Sequence, residues 1–321
     1  MKNIPLGSTG VSISPITLGG NTFGWTSTRE ESFEVLDAYL AGGGTTIDTA
    51  DAYSAWAPGN RGGESEETIG QWLAARGYSK GSGREGLVVA TKVARHPQFE
   101  GLSPKNVAAA CDASLERLGV DFVDVYFAHF DDDAVAIPDM AEAFSALVDA
   151  GKARAVGLSN FTPERMEEWL RCAEENGLHK PTILQQHYNL VKRRRFEASY
   201  LPLARKHGMA AQSYFALASG FLTGKYRSKD DAKTNAARGG AAARYLTEEG
   251  LAVLAALDDV AAQLGASPAS VALAWQHAKG VDSPVASART VGQLPDLLAA
   301  LDLTLTAEQA AILDAASAPM A

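Results

Sequence analysis

Cysteine is nearly absent from this chain, with two residues in 321. Cys111 and Cys172 sit in separate helix-like stretches, and neither belongs to a CxxC pair. That pattern excludes a disulfide scaffold and implies buried, reduced thiols. An excess of basic residues is lacking too. Lys and Arg number 29 against 38 Asp and Glu, a net charge of −9. A nucleic-acid partner would favour a basic face and is not expected. No apolar run approaches the roughly 20 residues that span a bilayer. The first ten residues lack the apolar core of a signal peptide. No metal-ligand spacing of His and Cys occurs, so no metal is expected. These absences together point to a cytoplasmic protein. What remains, 46% hydrophobic and 21% charged, is ordinary for a globular chain.

The pattern along the chain alternates. Short apolar, strand-like runs end near Gly19, Ala50, Lys92, His129, Ser159, Gln185, Tyr214 and Ser287. Amphipathic helical stretches fall between them, over 30–41, 64–75, 104–118, 138–150, 163–175 and 197–206. Ser103-Pro104 and Thr162-Pro163 place a capping hydroxyl before a proline at the first helical position. Eight strand–helix units predict a (β/α)8 TIM barrel of the α/β class, occupying 1–321 as one domain. Residues 6–15, with Gly7 and Gly10, read as an N-terminal β-hairpin that closes the barrel bottom. Extra helices are expected over 247–264 and 267–279, before the last strand, and at the C-terminus over 307–316. The loose stretch 227–240 follows the seventh strand, where it is either a solvated loop or a lid.

Three local motifs do not hold up. Residues 81–86 match GxGxxG literally. A dinucleotide turn must follow a strand and open a helix; this one follows a helix and precedes a strand. Asp131-Asp-Asp133 has no His or Cys companions and reads as a polar loop. Arg193-Arg-Arg195 reads as a solvated charge run.

One constellation does hold up. Asp48 and Tyr53 lie in Thr45-Thr-Ile-Asp-Thr-Ala-Asp-Ala-Tyr53, Lys92 closes Leu87-Val-Val-Ala-Thr-Lys92, and His129 closes Phe122-Val-Asp-Val-Tyr-Phe-Ala-His129. Any one of these residues alone is normally packing or solvated surface. All four at the same end of consecutive strands define one catalytic mouth. A phenol, an ammonium, a carboxylate and an imidazole gathered there suit proton transfer to a carbonyl oxygen. Lys92 is expected to lower the phenol pKa and Asp48 to hold Lys92 charged. His129 is expected to hydrogen-bond the carbonyl oxygen.

With these residues in place the sequence resembles the aldo-keto reductase family over nearly its whole length. The likeness is reinforced by Gly157-Leu-Ser-Asn160, Gln185-Gln-His-Tyr-Asn-Leu190 and Leu217-Ala-Ser-Gly-Phe-Leu-Thr-Gly-Lys-Tyr226. It is nearer to bacterial members of the long-loop branch that includes potassium-channel β subunits. The resemblance implies reversible reduction of a small-molecule aldehyde or ketone by NADP(H), with Asp48, Tyr53, Lys92 and His129 as the catalytic set. It implies that Ser159, Asn160 and Gln185 bind the nicotinamide carboxamide and that Tyr214 stacks on its ring, with Asp48 beneath. Thr22 and Phe23 would line the cofactor, Phe215 would adjoin it, and Leu217, Ser219, Gly220 and Lys225 would follow its pyrophosphate. Arg238 would close over it, Arg289 and Gln293 would contact the adenosine phosphate, and Asp296 would lie near the adenine.

The likeness is not complete. Leu297 stands where many relatives have Asn, Ser287 where some have a phosphate-binding Lys, and Tyr214-Phe215-Ala216 where the family has aromatic–Ser–Pro. Arg289 can supply the missing charge, since guanidinium suits a 2′-phosphate, so NADPH is expected over NADH. The substrate pocket is expected from Phe23 or Trp25, Trp56, Phe130 and the stretch 227–240, beside Tyr53 and His129. It would take a cyclic or aromatic carbonyl, or a sugar stacked on Trp56. The rival reading is a regulatory subunit that binds cofactor with little turnover, as channel β subunits do.

Overall fold

A computed structural model describes residues 2–81, 83–233 and 237–320. A hairpin of β1 (Ile4–Pro5) and β2 (Ser12–Ile13) opens the chain. Eight parallel strands then close a barrel: β3 (Thr17–Gly19), β4 (Thr46–Asp48), β5 (Val88–Val93), β8 (Val123–Ala128), β9 (Ala153–Ser159), β10 (Ile183–His187), β11 (Ala210–Tyr214) and β12 (Ser283–Ala286). A second small hairpin, β6 (Arg95–His96) with β7 (Phe99–Glu100), directly follows β5. Two-residue strands carry no periodicity, and the sequence did not signal this hairpin.

Helices cover the outside: α1 (Arg29–Ala41), α2 (Glu64–Ala75), α3 (Pro104–Leu118), α4 (Ile137–Asp149), α5 (Pro163–Asn176) and α6 (Leu201–Lys206). A π-turn at Phe196–Tyr200 leads into α6. After β11 come α7 (Lys229–Lys233), α8 (Gly239–Ala242), α9 (Glu248–Leu264) and α10 (Pro268–Ala278); after β12 come α11 (Leu294–Ala299) and α12 (Ala307–Ser317). The expected loose stretch 227–240 thus contains α7 and the start of α8, and its residues 234–236 lie outside the described residues. No single helix among the described residues is long and apolar enough to cross a membrane.

Helix starts follow local chemistry. The Thr162 hydroxyl accepts from Arg165 N at 3.3 Å, as its position before Pro163 predicts. Ser103 occupies the same position before Pro104, yet its hydroxyl makes no capping bond. Thr28 and Glu31 form a reciprocal capping box that the helical periodicity did not reveal.

Strand alternation builds two cores. Val88 and Ala90 of β5, Val125 and Phe127 of β8, Ala155, Ile183 and Ala210 face inward, where Leu6, Val11 and Ile13 of the N-terminal hairpin seal them from below. Val89, Val93, Tyr126 and Val156 face outward into the helical layer. Phe127 fills the barrel against Gly157, where an added Cβ would fall 2.3 Å from the ring. Cys111 and Cys172 are free and buried. Arg193 corrects the solvated-run expectation. It is buried, ion-paired to Glu197 at 2.8 Å and Asp314 at 2.8 Å, and seated 5.0 Å over Trp275. Arg194 and Arg195 remain exposed.

Candidate active site

The inward rows that are apolar at the bottom turn polar at the top. Above Ala90 the next inward residue of β5 is Lys92, above Ile183 of β10 it is Gln185, and above Ala210 of β11 it is Gln212. Asp48 ends β4. After it the chain is stitched onto β5 by Thr49 N to Ala90 O (2.8 Å) and Asp51 N to Lys92 O (3.1 Å). It then turns through Tyr53 N to Ala50 O (3.2 Å). That turn brings Tyr53 over Lys92.

The floor of the cleft is a connected polar cluster. Lys92 Nζ donates to Asp48 Oδ2 at 2.7 Å, to Thr49 O at 2.7 Å and to Tyr53 Oη at 2.8 Å. Tyr53 Oη lies 3.3 Å from Asp48 Oδ2. Gln185 Nε2 donates to Asp48 Oδ1 at 2.9 Å and Gln212 Oε1 at 3.1 Å. The His129 ring lies 6.0 Å from the Tyr53 ring, centroid to centroid. The four residues singled out from the sequence therefore meet at one place.

Their electrostatics differ from expectation in one respect. Burial and then the Asp48 carboxylate push the Tyr53 phenol well above its ordinary range. The net shift is therefore upward, against the lowering expected from Lys92, which is itself ion-paired with Asp48. Burial draws the Lys92 ammonium down, with Asp48 opposing. Burial, then Lys92 and Arg95, push His129 well below the usual imidazole range. The phenol is protonated and the imidazole neutral at neutral pH. His129 Nδ1 is buried without a partner among the described residues. With the imidazole proton on Nε2, that buried Nδ1 is left as an acceptor and not as an N–H without a partner.

A cleft of about 960 Å³ opens above this floor at the C-terminal ends of the strands, where barrel sites lie. Its walls include Thr22, Asn160, Tyr214, Phe215, Leu217, Ser219, Gly220, Lys225, Arg238, Arg289, Gln293, Asp296, Trp56 and Phe130, as the sequence implied, and also Leu297. Phe23, Ser159 and Trp25 are not among the lining residues. Phe23 is fully buried in the outer core, its carbonyl accepting from Ser54 Oγ at 2.8 Å. Ser159 is buried beneath Asn160, accepting from its Nδ2 at 3.0 Å. Trp25 stands edge-on behind Trp56 with centroids 5.6 Å apart. Asn160, at φ 57°, ties the cleft together: Nδ2 donates to His129 O at 2.8 Å and Oδ1 accepts from Tyr214 Oη at 2.6 Å. One face of Tyr214 is covered by His187, 5.3 Å away.

The side of the cleft that follows the C-terminal ends of β11 and β12 suits a phosphate-bearing ligand. Lys225, Arg238 and Arg289 are close enough that Arg238 and Arg289 both hold the Lys225 ammonium below its usual range, after burial. Such mutual repulsion is relieved by an anion. Beside them Ala218, Ser219 and Gly220 take φ of 48°, 58° and 90°, a strained run of the kind kept at ligand clamps. Arg238 reaches across the cleft to donate to Asn21 Oδ1 at 3.0 Å, which also accepts from Ser287 Oγ at 2.8 Å.

Sequence reasoning missed Asn21 and Arg95, both of which line the cleft. Their signal was position alone, just past the C-terminal ends of β3 and β5. It also missed a buried network behind β5. There Glu66 accepts from Thr91 Oγ1 at 2.5 Å and Arg117 Nε at 2.6 Å. Asp51 is fully buried nearby, and no side chain among the described residues hydrogen-bonds its carboxyl. Burial, then Glu66, hold Asp51 well above the carboxylate range.

Comparison with known proteins agrees with this geometry. The sequence model of the Aldo/keto reductase family matches residues 15–318. An aryl-alcohol dehydrogenase of Pestalotiopsis microspora is 32% identical over 94% of this chain and 78% of its own. Aldo-keto reductase YhdN of Bacillus subtilis is 33% identical over 96% of this chain and 91% of its own. A putative voltage-gated potassium channel subunit beta of Schizosaccharomyces pombe is 32% identical over 85% of this chain and 81% of its own. The chain therefore belongs to the aldo/keto reductase family, whose members are oxidoreductases of carbonyl compounds.

Proposed function

We propose that this protein is a cytoplasmic, NADP(H)-dependent reductase of aldehydes or ketones that also runs in reverse on alcohols. The observation that carries the reading is the contact of Lys92 Nζ with both Asp48 Oδ2 (2.7 Å) and Tyr53 Oη (2.8 Å) at the floor of a cleft rimmed by cations. The nicotinamide, when bound, supplies the hydride. Lys225 and Arg238 would hold its pyrophosphate and Arg289 its 2′-phosphate, with Gln293 and Asp296 toward the adenosine. Asn160, Gln185 and Tyr214 would orient the nicotinamide end.

The chain's own residues handle the substrate and the proton. His129 Nε2–H donates to the carbonyl oxygen and fixes its position. Tyr53 Oη, protonated at neutral pH, gives its proton to that oxygen as negative charge develops there. Lys92 stabilises the phenolate left behind, and Asp48 keeps Lys92 in place. In the oxidation direction the same oxygen returns the proton to Tyr53. Phe130 and Trp56 enclose the substrate, the latter about half exposed at 52%.

The test is oxidation of NADPH by the purified protein with para-nitrobenzaldehyde. Turnover, with NADPH preferred over NADH, is expected. NADPH binding without turnover of any aldehyde in a broad panel would instead identify a cofactor-binding subunit.

A further inference from the structure

Arg95 is a cation at the cleft that the proposed chemistry leaves unused. It is exposed, lines the cleft with His129 and Phe130, and lies 4.3 Å over the Phe130 ring. That ring in turn sits 4.9 Å from the His129 ring. A guanidinium stacked this way keeps the edge of its fork available for a planar oxyanion. No ion pair engages Arg95 among the described residues. Asp131, next to Phe130 in sequence, is taken by Arg165 in a two-point contact of 2.8 and 2.9 Å. Glu100 is the cross-strand register partner of Arg95 on the β6–β7 hairpin, yet the two side chains form no ion pair among the described residues.

Two further observations separate Arg95 from the phosphate-holding cations. It follows β5, which lies across the closed barrel from β11, four strands away in either direction. Lys225 and Arg238 follow β11 itself. The turn that presents Arg95 is also strained, with Ala94 at φ 144°, a region costly to a residue with a Cβ. Surrounding structure keeps such strain mainly at functional sites.

We propose that Arg95, on its Phe130 platform beside His129, is a carboxylate-recognising group, and that the preferred substrates are carbonyl compounds carrying a carboxylate, with an aromatic or other flat body between the two groups. This rests on the carbonyl-reductase reading of the same site. The aldehyde oxygen meets Tyr53 and His129 while the carboxylate reaches Arg95 at the rim. Arg95 is among the cations that push the His129 imidazole down, so a carboxylate on Arg95 has a second effect: it offsets part of that charge.

The experiment compares meta- and para-carboxybenzaldehyde with their methyl esters, in wild type and in Arg95→Gln. In wild type the better of the two acids should exceed its ester in kcat/KM, mostly through KM. Arg95→Gln should reduce that acid-to-ester ratio by about ten-fold, the scale of one partly screened charge-assisted contact. Arg95→Lys should restore part of it, and added salt should erode the wild-type preference. An acid-to-ester ratio unchanged by Arg95→Gln overturns the inference while leaving carbonyl reduction intact. If neither aldehyde is turned over, the reductase reading is decided separately, by turnover across the wider aldehyde panel. Quenching of tryptophan fluorescence by the same four compounds then decides the Arg95 assignment. Tighter binding of the acid, lost in Arg95→Gln, supports it; equal binding in both proteins overturns it.

Discussion

Lys92 Nζ donates to Asp48 Oδ2 across 2.7 Å, and the two side chains are 0% and 1% exposed. A buried ion pair is close to neutral for stability as a whole, yet breaking it strands one charge without solvent. The same ammonium reaches Tyr53, so the pair that holds the floor of the cleft also presents the proton donor. Stability and chemistry are therefore linked at this contact.

Lys92→Met should lose activity and also destabilise the fold by about 3–5 kcal/mol, because Asp48 is left buried and unpaired. The double variant Lys92→Met with Asp48→Asn should recover much of that stability and none of the turnover. Urea unfolding of the three proteins measures this. Equal stability of Lys92→Met and wild type would mean that Asp48 finds another partner.

Tyr53→Phe keeps the ring and removes the proton. Carbonyl reduction should fall by roughly 10²–10⁴-fold, with NADPH affinity little altered. Single-turnover kinetics and fluorescence titration read the two effects separately. Near-wild-type turnover would remove Tyr53 from the mechanism.

Arg289→Ala tests cofactor choice. Loss of a charge-assisted contact of about 1.5–3 kcal/mol should weaken NADPH by roughly ten- to a hundred-fold, while NADH, which lacks the 2′-phosphate, moves little. An equal fall for both cofactors would assign Arg289 to the adenine or to local structure, where its backbone N–H already donates to Gln293 Oε1 at 2.8 Å.

Acid should destabilise this protein through its buried histidines. Burial and nearby cations lower His187 to about 4 and hold His129 well below its usual value. Below the unfolded value near 6.5 the unfolded chain binds protons that the folded chain refuses, so stability falls as pH drops from 6.5 toward 4. His187→Gln should flatten that slope in thermal melts across this window. An unchanged slope would show that His187 is solvated enough to titrate normally.

Asp51 works in the opposite direction. Its folded value is raised, so the unfolded chain releases a proton that the folded chain retains. Stability is lost as pH rises above the unfolded value near 3.9. Asp51→Asn cannot titrate and should gain on wild type between pH 5 and pH 8. The gain is read as the difference in melting temperature at the two values. No pH dependence in that difference would place a charged partner at Asp51.

Much of the site was legible from residue order alone. Short apolar runs with amphipathic helical stretches between them predict a parallel barrel. A polar residue that ends an apolar strand must emerge at the strand's C-terminal rim, so residue order alone places Asp48, Lys92 and His129 together. The hairpin seal was readable because Leu6, Val11 and Ile13 are apolar residues around a Gly-rich turn.

What the sequence could not determine depends on distances between segments far apart in the chain. Burial with Asp48 3.3 Å away, rather than the mere presence of Lys92, decides that the Tyr53 phenol is raised. Arg193 is buried because Glu197, Asp314 and Trp275 converge on it, and Phe23 leaves the cleft because its ring completes the outer core. Arg95 gains its meaning only from the Phe130 ring beneath it and from its place across the barrel from the other cations. Residue identity and periodicity are local and survive in one dimension. Desolvation and charge proximity are properties of the packed molecule, and only the tertiary structure decides them.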